Sequence, residues 1–412
     1  SSRRRHTRLP TRSRGLGDVY KRQLPRVIAA TLVTPLLAIF SNLMGMIGGG
    51  PNAFIGEVHR KAIRMDGEIE LVAGAFDIDP RQSRKMGRML YLPRGRVYDT
   101  YQEMISGELA LPGDERIDFV SITAPNKFHF PIAKAFLEAG FHVVCEKPMT
   151  MDVKEALALK EIVRKTRKIF MLTHTYTGYP MVKLAKDLVA AGRIGRVHKI
   201  IVQYHQGWLM RALEKTGQPQ ATWRTDPKLA GSAGCMGDIG THAANLAEYI
   251  SGLKIRQVCA ELTTFVKGRK LDDDGNVLMR FNKGAKGVLT ASQVQVGDEN
   301  DLAIRVYGDK GSVEWHQEHP NQLTVKPIDA PKQIWERGAG YVADASPAAA
   351  LNTRIPTRHP EAYIEAFANL YMRAGEAVRA RIAGKKADPH SLDFPTVHDG
   401  VAGMKFIEAV VR

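Results

Sequence analysis

Short apolar runs alternate with stretches of helical periodicity through the first half of the chain, which predicts a parallel, doubly wound α/β sheet. The runs are Leu43–Ile47, Glu70–Phe76, Ile117–Thr123, Phe141–Val144 and Ile169–Thr173. Helices are expected between them. The first starts near Asn52 and carries the apolar stripe Val58, Ala62, Ile63 and Met65; others cover Tyr101–Leu109, Phe130–Ala139 and Asp152–Thr166. Asp79-Pro80 reads as a helix cap with proline in the first turn.

Beyond Tyr176 the period changes. Met181–Ala191 is helical and stops at Gly192. Strand patterns then dominate, at Val197–Tyr204, Gln257–Phe265, Asn276–Phe281, Val288–Val296, Leu302–Tyr307 and Ser312–Trp315. Asn282-Lys283-Gly284 and Gly308-Asp309-Lys310-Gly311 read as hairpin turns, so a mostly antiparallel sheet of about six strands is expected. Gln206–Gly237 is irregular, and Ile239–Tyr249 is a helix ending at Gly252. Lys332–Asn352 lacks periodicity and is rich in Ala, Gly and Pro, which predicts a mobile surface loop. A helix is expected from His359-Pro360-Glu361 to about Gly375, and Thr396-Val397-His398-Asp399 forms a capping box before the last helix.

Composition narrows the function classes. The net charge of +16 invites a nucleic-acid reading, but residues 1–26 hold nine Lys or Arg and one Asp, half of that excess. The rest of the chain shows no basic residues interleaved with aromatics, so neither nucleic acid nor membrane is an expected partner. Ser1–Gln23 should be disordered; it looks like translated sequencing-adapter sequence and is set aside. Val27–Phe40 mimics a secretory signal, but it is short for a membrane span and broken by Pro35. Three cysteines, Cys145, Cys235 and Cys259, sit at no metal-ligand spacing. Their odd number points to a reducing, cytoplasmic setting with no bound metal.

Candidate chemistry begins at Gly48-Gly49-Gly50-Pro51-Asn52-Ala53-Phe54-Ile55-Gly56, right after the first strand. Gly48, Gly50 and Ala53 fit the G-x-G-x-x-G/A dinucleotide fingerprint of a Rossmann-type domain. Gly48 makes the turn, Gly50 admits a pyrophosphate, and Ala53 lets the helix pack closely. Glycine clusters are also ordinary turn formers. Asp77, about 20 residues past Gly56, suits the ribose hydroxyls of NAD; Arg81, Ser83 and Arg84 beyond it leave NADP open. Pro125 and Asn126 end a strand on the same side, where Asn126 is either a cofactor contact or a turn residue. Cys145-Glu146-Lys147-Pro148 ends the next strand and aims a lysine at the ligand crevice; alone it reads as a surface lysine in a turn. His174 and Tyr176 end the last strand, and His174 reads as a structural histidine. Gly237-Asp238-Ile239-Gly240-Thr241-His242 places a carboxylate and an imidazole four residues apart on one helix face, unless Asp238 is only a cap.

Together, the glycine loop, Glu146-Lys147-Pro148 and Asp238-x-x-x-His242 before an antiparallel sheet resemble the Gfo/Idh/MocA oxidoreductase family, from about Leu43 to the C-terminus. Tyr176-Thr177-Gly178-Tyr179-Pro180 and Val58-His59-Arg60 are similar to a bacterial subgroup of sugar or cyclitol dehydrogenases. The foreign-looking segment before the first strand departs from that pattern. The resemblance implies a Rossmann domain over residues 27–175 and a substrate-binding, oligomer-forming α+β domain with a large, mostly antiparallel open sheet over 176–412. It implies that Lys147 and His242 are catalytic, and that Asp238 binds a substrate hydroxyl and orients His242. The expected cofactor set is Gly48, Gly50, Pro51, Asn52, Ala53, Phe54, Asp77, Pro125, Asn126, Glu146 and Lys147. Tyr176 and Arg224 join Lys147, Asp238 and His242 around the substrate.

The leading expectation is an NAD(P)-dependent dehydrogenase, NAD preferred, acting on a hydroxyl of a small polyhydroxylated substrate. Its oligomer would form through the antiparallel sheet. An NAD-dependent glycoside hydrolase is the first rival and would release aglycone without added NAD. A non-catalytic NAD-binding sensor is the second and would tolerate loss of Lys147 and His242.

Overall fold

The computed structural model describes residues 41–412. The basic tail and the Val27–Phe40 run lie outside the described residues. Within Asn42–Arg412 the apolar runs and the helices between them settle into two sheets.

The first sheet takes β1 (Asn42–Gly48), α1 (Phe54–Arg64), β2 (Ile69–Ala75), α2 (Pro80–Met89), α3 (Tyr101–Leu109), β3 (Phe119–Thr123), α4 (His129–Glu138), β4 (His142–Cys145), α5 (Val153–Thr166) and β5 (Phe170–Leu172). Every strand pair is parallel, in the order β2-β1-β3-β4-β5. The chain reverses direction of growth at β1, between β2 and β3. The crevice beyond the carboxyl ends of β1 and β3 is where such sheets bind ligands. β3 and β4 are buried at every position, as strands covered on both faces must be. Asp79 caps α2 as expected, accepting a hydrogen bond from Arg81 N, with Pro80 in the first turn.

α6 (Pro180–Ala190) leads into β6 (Val197–His205). The irregular stretch then holds two short helices, α7 (Pro219–Arg224) and α8 (Pro227–Ala230), before α9 (Thr241–Ser251). The second sheet follows with β7 (Ile255–Thr263), β8 (Asp274–Phe281), β9 (Lys286–Ser292), β10 (Asp301–Gly308), β11 (Gly311–His316), β12 (Gln322–Pro327) and β13 (Gln333–Glu336). Their order is β13-β12-β11-β10-β6-β9-β8-β7, antiparallel except for β6 beside β9. Both expected hairpin turns are present. Along β8 burial alternates: Val277, Met279 and Phe281 face the core, while Asn276, Leu278 and Arg280 face outward. The inner face packs on α6 and α9.

Two expectations are corrected. The sheet has eight strands, because β12 and β13 extend the edge past the six apolar runs. And Lys332–Asn352 is not a loose loop: it holds β13, α10 (Gly340–Ala345) and α11 (Pro347–Leu351). Its anchor is Arg337, 1% exposed. That guanidinium donates to Asn321 Oδ1 at 2.6 Å, Ile355 O at 2.9 Å and Glu361 Oε1 at 2.7 Å, and also to Pro356 O and His359 O. A polar hub of this kind leaves no trace in hydrophobic periodicity.

The last two helices return to the first sheet. α12 (Tyr363–Ile382) starts later and runs farther than expected, and α13 (Val397–Val411) opens on the predicted Thr396–Asp399 capping box. Phe367, Leu370, Tyr371, Ala374 and Ala377 of α12 bury themselves against Met44, Met46, Val58, Ile63, Leu71 and Phe119. The far end of the chain thus supplies part of the core around β1.

Candidate active site

The glycine loop at the end of β1 is shaped by close approach. Gly48 has φ +82°, and a Cβ there would meet Ala124 N at 2.8 Å. The tightest contact between loop and helix is not at Ala53 but at Gly56, where a Cβ would lie 2.3 Å from Gly49 Cα. Ala53 is instead the residue before α1, and no side chain caps that helix. Its first-turn N–H groups are therefore free for an anion. Asp77 closes the rim, with its carboxylate 3.0 Å from where a Gly50 side chain would begin.

A cavity of about 1170 Å³ runs from this loop to the inner face of the second sheet. Gly48, Gly50, Asn52, Ala53, Phe54, Asp77, Pro125, Asn126, Glu146 and Lys147 line it, as do Tyr176, Arg224, Asp238 and His242. Pro51 alone of the expected residues is not in the wall. Asn126 donates its amide to Ala230 O at 3.0 Å and so fastens α8 to the cavity floor. Ser83 is also displaced from its expected role. It is fully buried, its hydroxyl shared between Phe76 N and Tyr98 O. Arg81 pairs with Asp79 and Arg84 with Asp99 at 2.5 Å. Of the side chains that would hold a 2′-phosphate, Ser83 is buried and the two exposed arginines pair with neighbouring carboxylates, whereas Asp77 stands at the rim. The uncapped helix, the glycine turn and this acidic rim fit NAD.

At the other end Lys147 follows β4, its peptide bond to Pro148 cis. Lys147 Nζ donates to Asp238 Oδ1 at 2.7 Å and to Asp238 O at 2.6 Å. Asp238 lies in a π-helical turn, Met236–Gly240, directly before α9. Its second oxygen accepts from Arg224 Nε at 3.0 Å and Gln293 Nε2 at 2.9 Å. Burial opposes ionisation of this carboxyl, but Lys147 and Arg224 outweigh it and hold the group well below the usual carboxylate range. Asp238 therefore carries a fixed negative charge. It accepts from Lys147, Arg224 and Gln293, and makes no hydrogen bond with His242.

His242 sits in the first turn of α9, 8% exposed. Its Nδ1 lies 3.3 Å from His174 Nδ1, and its ring is set edge-on between His174 and Tyr176. Burial, the Lys147 charge and His174 push the His242 imidazole well below its ordinary value, against a weaker opposite pull from Asp238. The imidazole is therefore neutral at pH 7.

Glu146, in the cavity wall, is held by His59 Nε2 at 2.9 Å and Thr173 Oγ1 at 2.5 Å. His59 in turn meets Tyr371 of α12 at 2.6 Å. Sequence reasoning missed Gln293, Tyr204, Gln206, Trp208 and Asn300. Tyr176 and Tyr204 share a hydrogen bond between hydroxyls; Tyr204 then donates to Asn300 Oδ1 at 2.8 Å, as does Gln206 at 2.9 Å. An inward tyrosine in an apolar strand reads as core, so only the inward amides at strand ends hinted at a polar wall.

A fingerprint loop and a Lys-Asp-His cluster thus share one cavity across two sheets. Residues 43–174 match the oxidoreductase family with an NAD-binding Rossmann fold, Gfo/Idh/MocA, and residues 182–314 match the Gfo/Idh/MocA C-terminal domain. The uncharacterized oxidoreductase YfiI of Bacillus subtilis is 33% identical over 89% of this chain and 93% of its own. The chain belongs to the Gfo/Idh/MocA family. Levoglucosan dehydrogenase of Pseudarthrobacter phenanthrenivorans, 28% identical, matches over 68% of this chain and 75% of its own. An inositol dehydrogenase homolog from Azotobacter vinelandii, solved with NAD+, superposes with a TM-score of 0.84 at 38% identity, covering 90% of this chain and 94% of that one. Its complex with NADH and myo-inositol gives 0.82 and 36% over the same shares. As a Gfo/Idh/MocA protein, this chain is an NAD-binding oxidoreductase, and the two expected sheets are those of the family.

Proposed function

We propose that this enzyme is an NAD-dependent dehydrogenase that oxidises a hydroxyl of a neutral sugar or cyclitol. The observation that carries the reading is that Lys147 Nζ, the neutral imidazole of His242 and the glycine loop all open on one cavity. Relatives crystallised with myo-inositol or named for levoglucosan support the substrate class.

Gly48, Gly50, Asn52, Ala53, Asp77 and Pro125 would hold the dinucleotide, and NAD supplies the hydride acceptor when bound. Lys147 places a positive charge beside the reacting oxygen and stabilises negative charge developing there. Asp238 holds that ammonium in place. His242 takes the hydroxyl proton, a task suited to an imidazole kept neutral at pH 7. Gln206, Trp208, Asn300 and Trp223 offer paired polar groups and ring faces for a polyol.

Supplying NAD or NADP with a panel of cyclitols and sugars, and following the reduced nicotinamide, tests the reading. Turnover of a neutral polyol with NAD is expected. No turnover by NAD-saturated enzyme across the panel overturns it. We further propose assembly through the outward face of the second sheet, where Leu278 and Ile334 are exposed; light scattering on the purified protein decides this. Three free cysteines, two of them buried, fit a cytoplasmic setting.

A further inference from the structure

We propose that His174 is a positioning residue for the base: its Nδ1 accepts a hydrogen bond from His242 Nδ1–H and thereby turns the lone pair of His242 Nε2 toward the substrate hydroxyl. The inference rests on the reading of His242 as that base.

The geometry leaves two ways to place one proton between nitrogens 3.3 Å apart. If His174 donated, His242 would carry its proton on Nε2 and present a donor to the cavity. It could then take no proton from a hydroxyl. If His242 donates, Nε2 is free. The protonated state decides between them. Imidazolium carries N–H on both nitrogens, so its Nδ1–H needs an acceptor, and His174 Nδ1 is the partner that faces it. His174 is 2% exposed, and burial pushes its imidazole down to about 4, so at pH 7 it is neutral and its Nδ1 can accept. His174 itself is fixed by its backbone, whose carbonyl accepts from Thr177 N at 3.1 Å and Thr177 Oγ1 at 2.9 Å. Asp238, the residue expected to orient the base, is occupied by other donors, and His174 stands where an orienting group belongs. The arrangement follows the rule that the second nitrogen of a working histidine is fixed by a neighbour.

Other charged and titratable groups face the pair. Around His242 these are Lys147, Asp238, Tyr176 and Tyr204; around His174 they are Asp399 of α13, Glu146 and Lys147. Burial raises Tyr176 to about 12 and Tyr204 well above its ordinary value. Asp238 and Glu146 are both held down, against their burial, by the cations and donors beside them.

Three variants test the role with NAD and the best polyol of the panel. His174→Leu removes the acceptor. His174→Asn keeps an oxygen near the Nδ1 position, and His174→Gln moves it outward. The Leu and Gln enzymes are expected to lose about 10- to 100-fold in kcat with KM little changed, a loss on the scale of a displaced general base. Their acidic limb of kcat should move from its place in the parent, because the residue that faces His242 Nδ1 and holds its imidazole down is gone. The Asn enzyme should regain at least about tenfold, with the limb near its original place. If the Leu protein does not fold, the Asn and Gln pair decides alone. Equal kcat and equal limbs in Asn and Gln enzymes overturn the inference, as does a loss in all variants without any shift of the limb. His242→Gln is the control for the underlying reading: unchanged turnover there sinks the base assignment itself, whereas lost turnover there with normal His174 variants sinks only the positioning role.

Discussion

Replacing Asp238 by asparagine removes one charge from a site that balances two. The carboxylate receives Lys147 at 2.7 Å and Arg224 at 3.0 Å, all three side chains being at most 22% exposed. At an effective dielectric of about 20, each contact is worth on the order of 5–6 kcal/mol gross. Most of that is offset by desolvation, and removing one partner of a buried pair costs about 3–5 kcal/mol net. The amide keeps one acceptor for Lys147 but turns an N–H₂ toward Arg224 and Gln293, which are also donors, so the loss belongs at the upper end of that range. Urea unfolding at pH 7 should show it directly. The pH dependence adds a sign. The folded value for Asp238 is depressed, so its stabilisation is complete above the ordinary carboxylate value of about 4 and declines as pH falls toward the folded value. Below about pH 4 the parent and D238N should converge by about 1.4 kcal/mol per pH unit. A difference under about 1 kcal/mol at pH 7, or one that stays constant through the acid range, refutes this account of the site.

Three further expectations follow from the geometry. Asp77→Ala should lower kcat/KM for NAD by about tenfold without making NADP a good cofactor, since Arg81, Arg84 and Ser83 are engaged; comparing the two cofactors in steady-state assays checks it. Gly56→Val, whose Cβ meets Gly49 Cα at 2.3 Å, should displace the fingerprint loop and weaken NAD binding about tenfold or more, read by calorimetric titration. Arg337→Met should destabilise the protein by about 3–5 kcal/mol, leaving the buried Glu361 carboxylate without its cation, as measured by chemical denaturation.

The parts of this fold that were legible in the sequence are those written locally. The strand-loop-helix of Gly48–Gly56, the Asp79-Pro80 cap and the Thr396 capping box each depend on neighbours within a few residues. Lys147, Asp238 and His242 could be singled out because their residue types are costly to bury and their chemistry is complementary. The hydrogen bonds around Asp238 could not, since Gln293 and Arg224 reach it from other elements. His174 shows the limit most clearly. One histidine after a buried strand looks structural until its partner, 68 residues on, is seen to face it. Segments held by polar hubs, such as the stretch around Arg337, were misread for the same reason: periodicity records apolar burial and is silent about guanidinium–carbonyl contacts.

The return of α12 to the first sheet has a consequence for how this chain comes into being. During synthesis the five parallel strands emerge long before Phe367, Leu370 and Tyr371, and until then Met44, Met46 and Phe119 lack their cover. The nucleotide-binding half is thus unfinished while the second sheet is being made, and a gene shortened after that sheet would encode a protein with an oily flank. Anyone grafting this dinucleotide module onto another scaffold must carry two separate pieces of the chain, the beginning and the near-end.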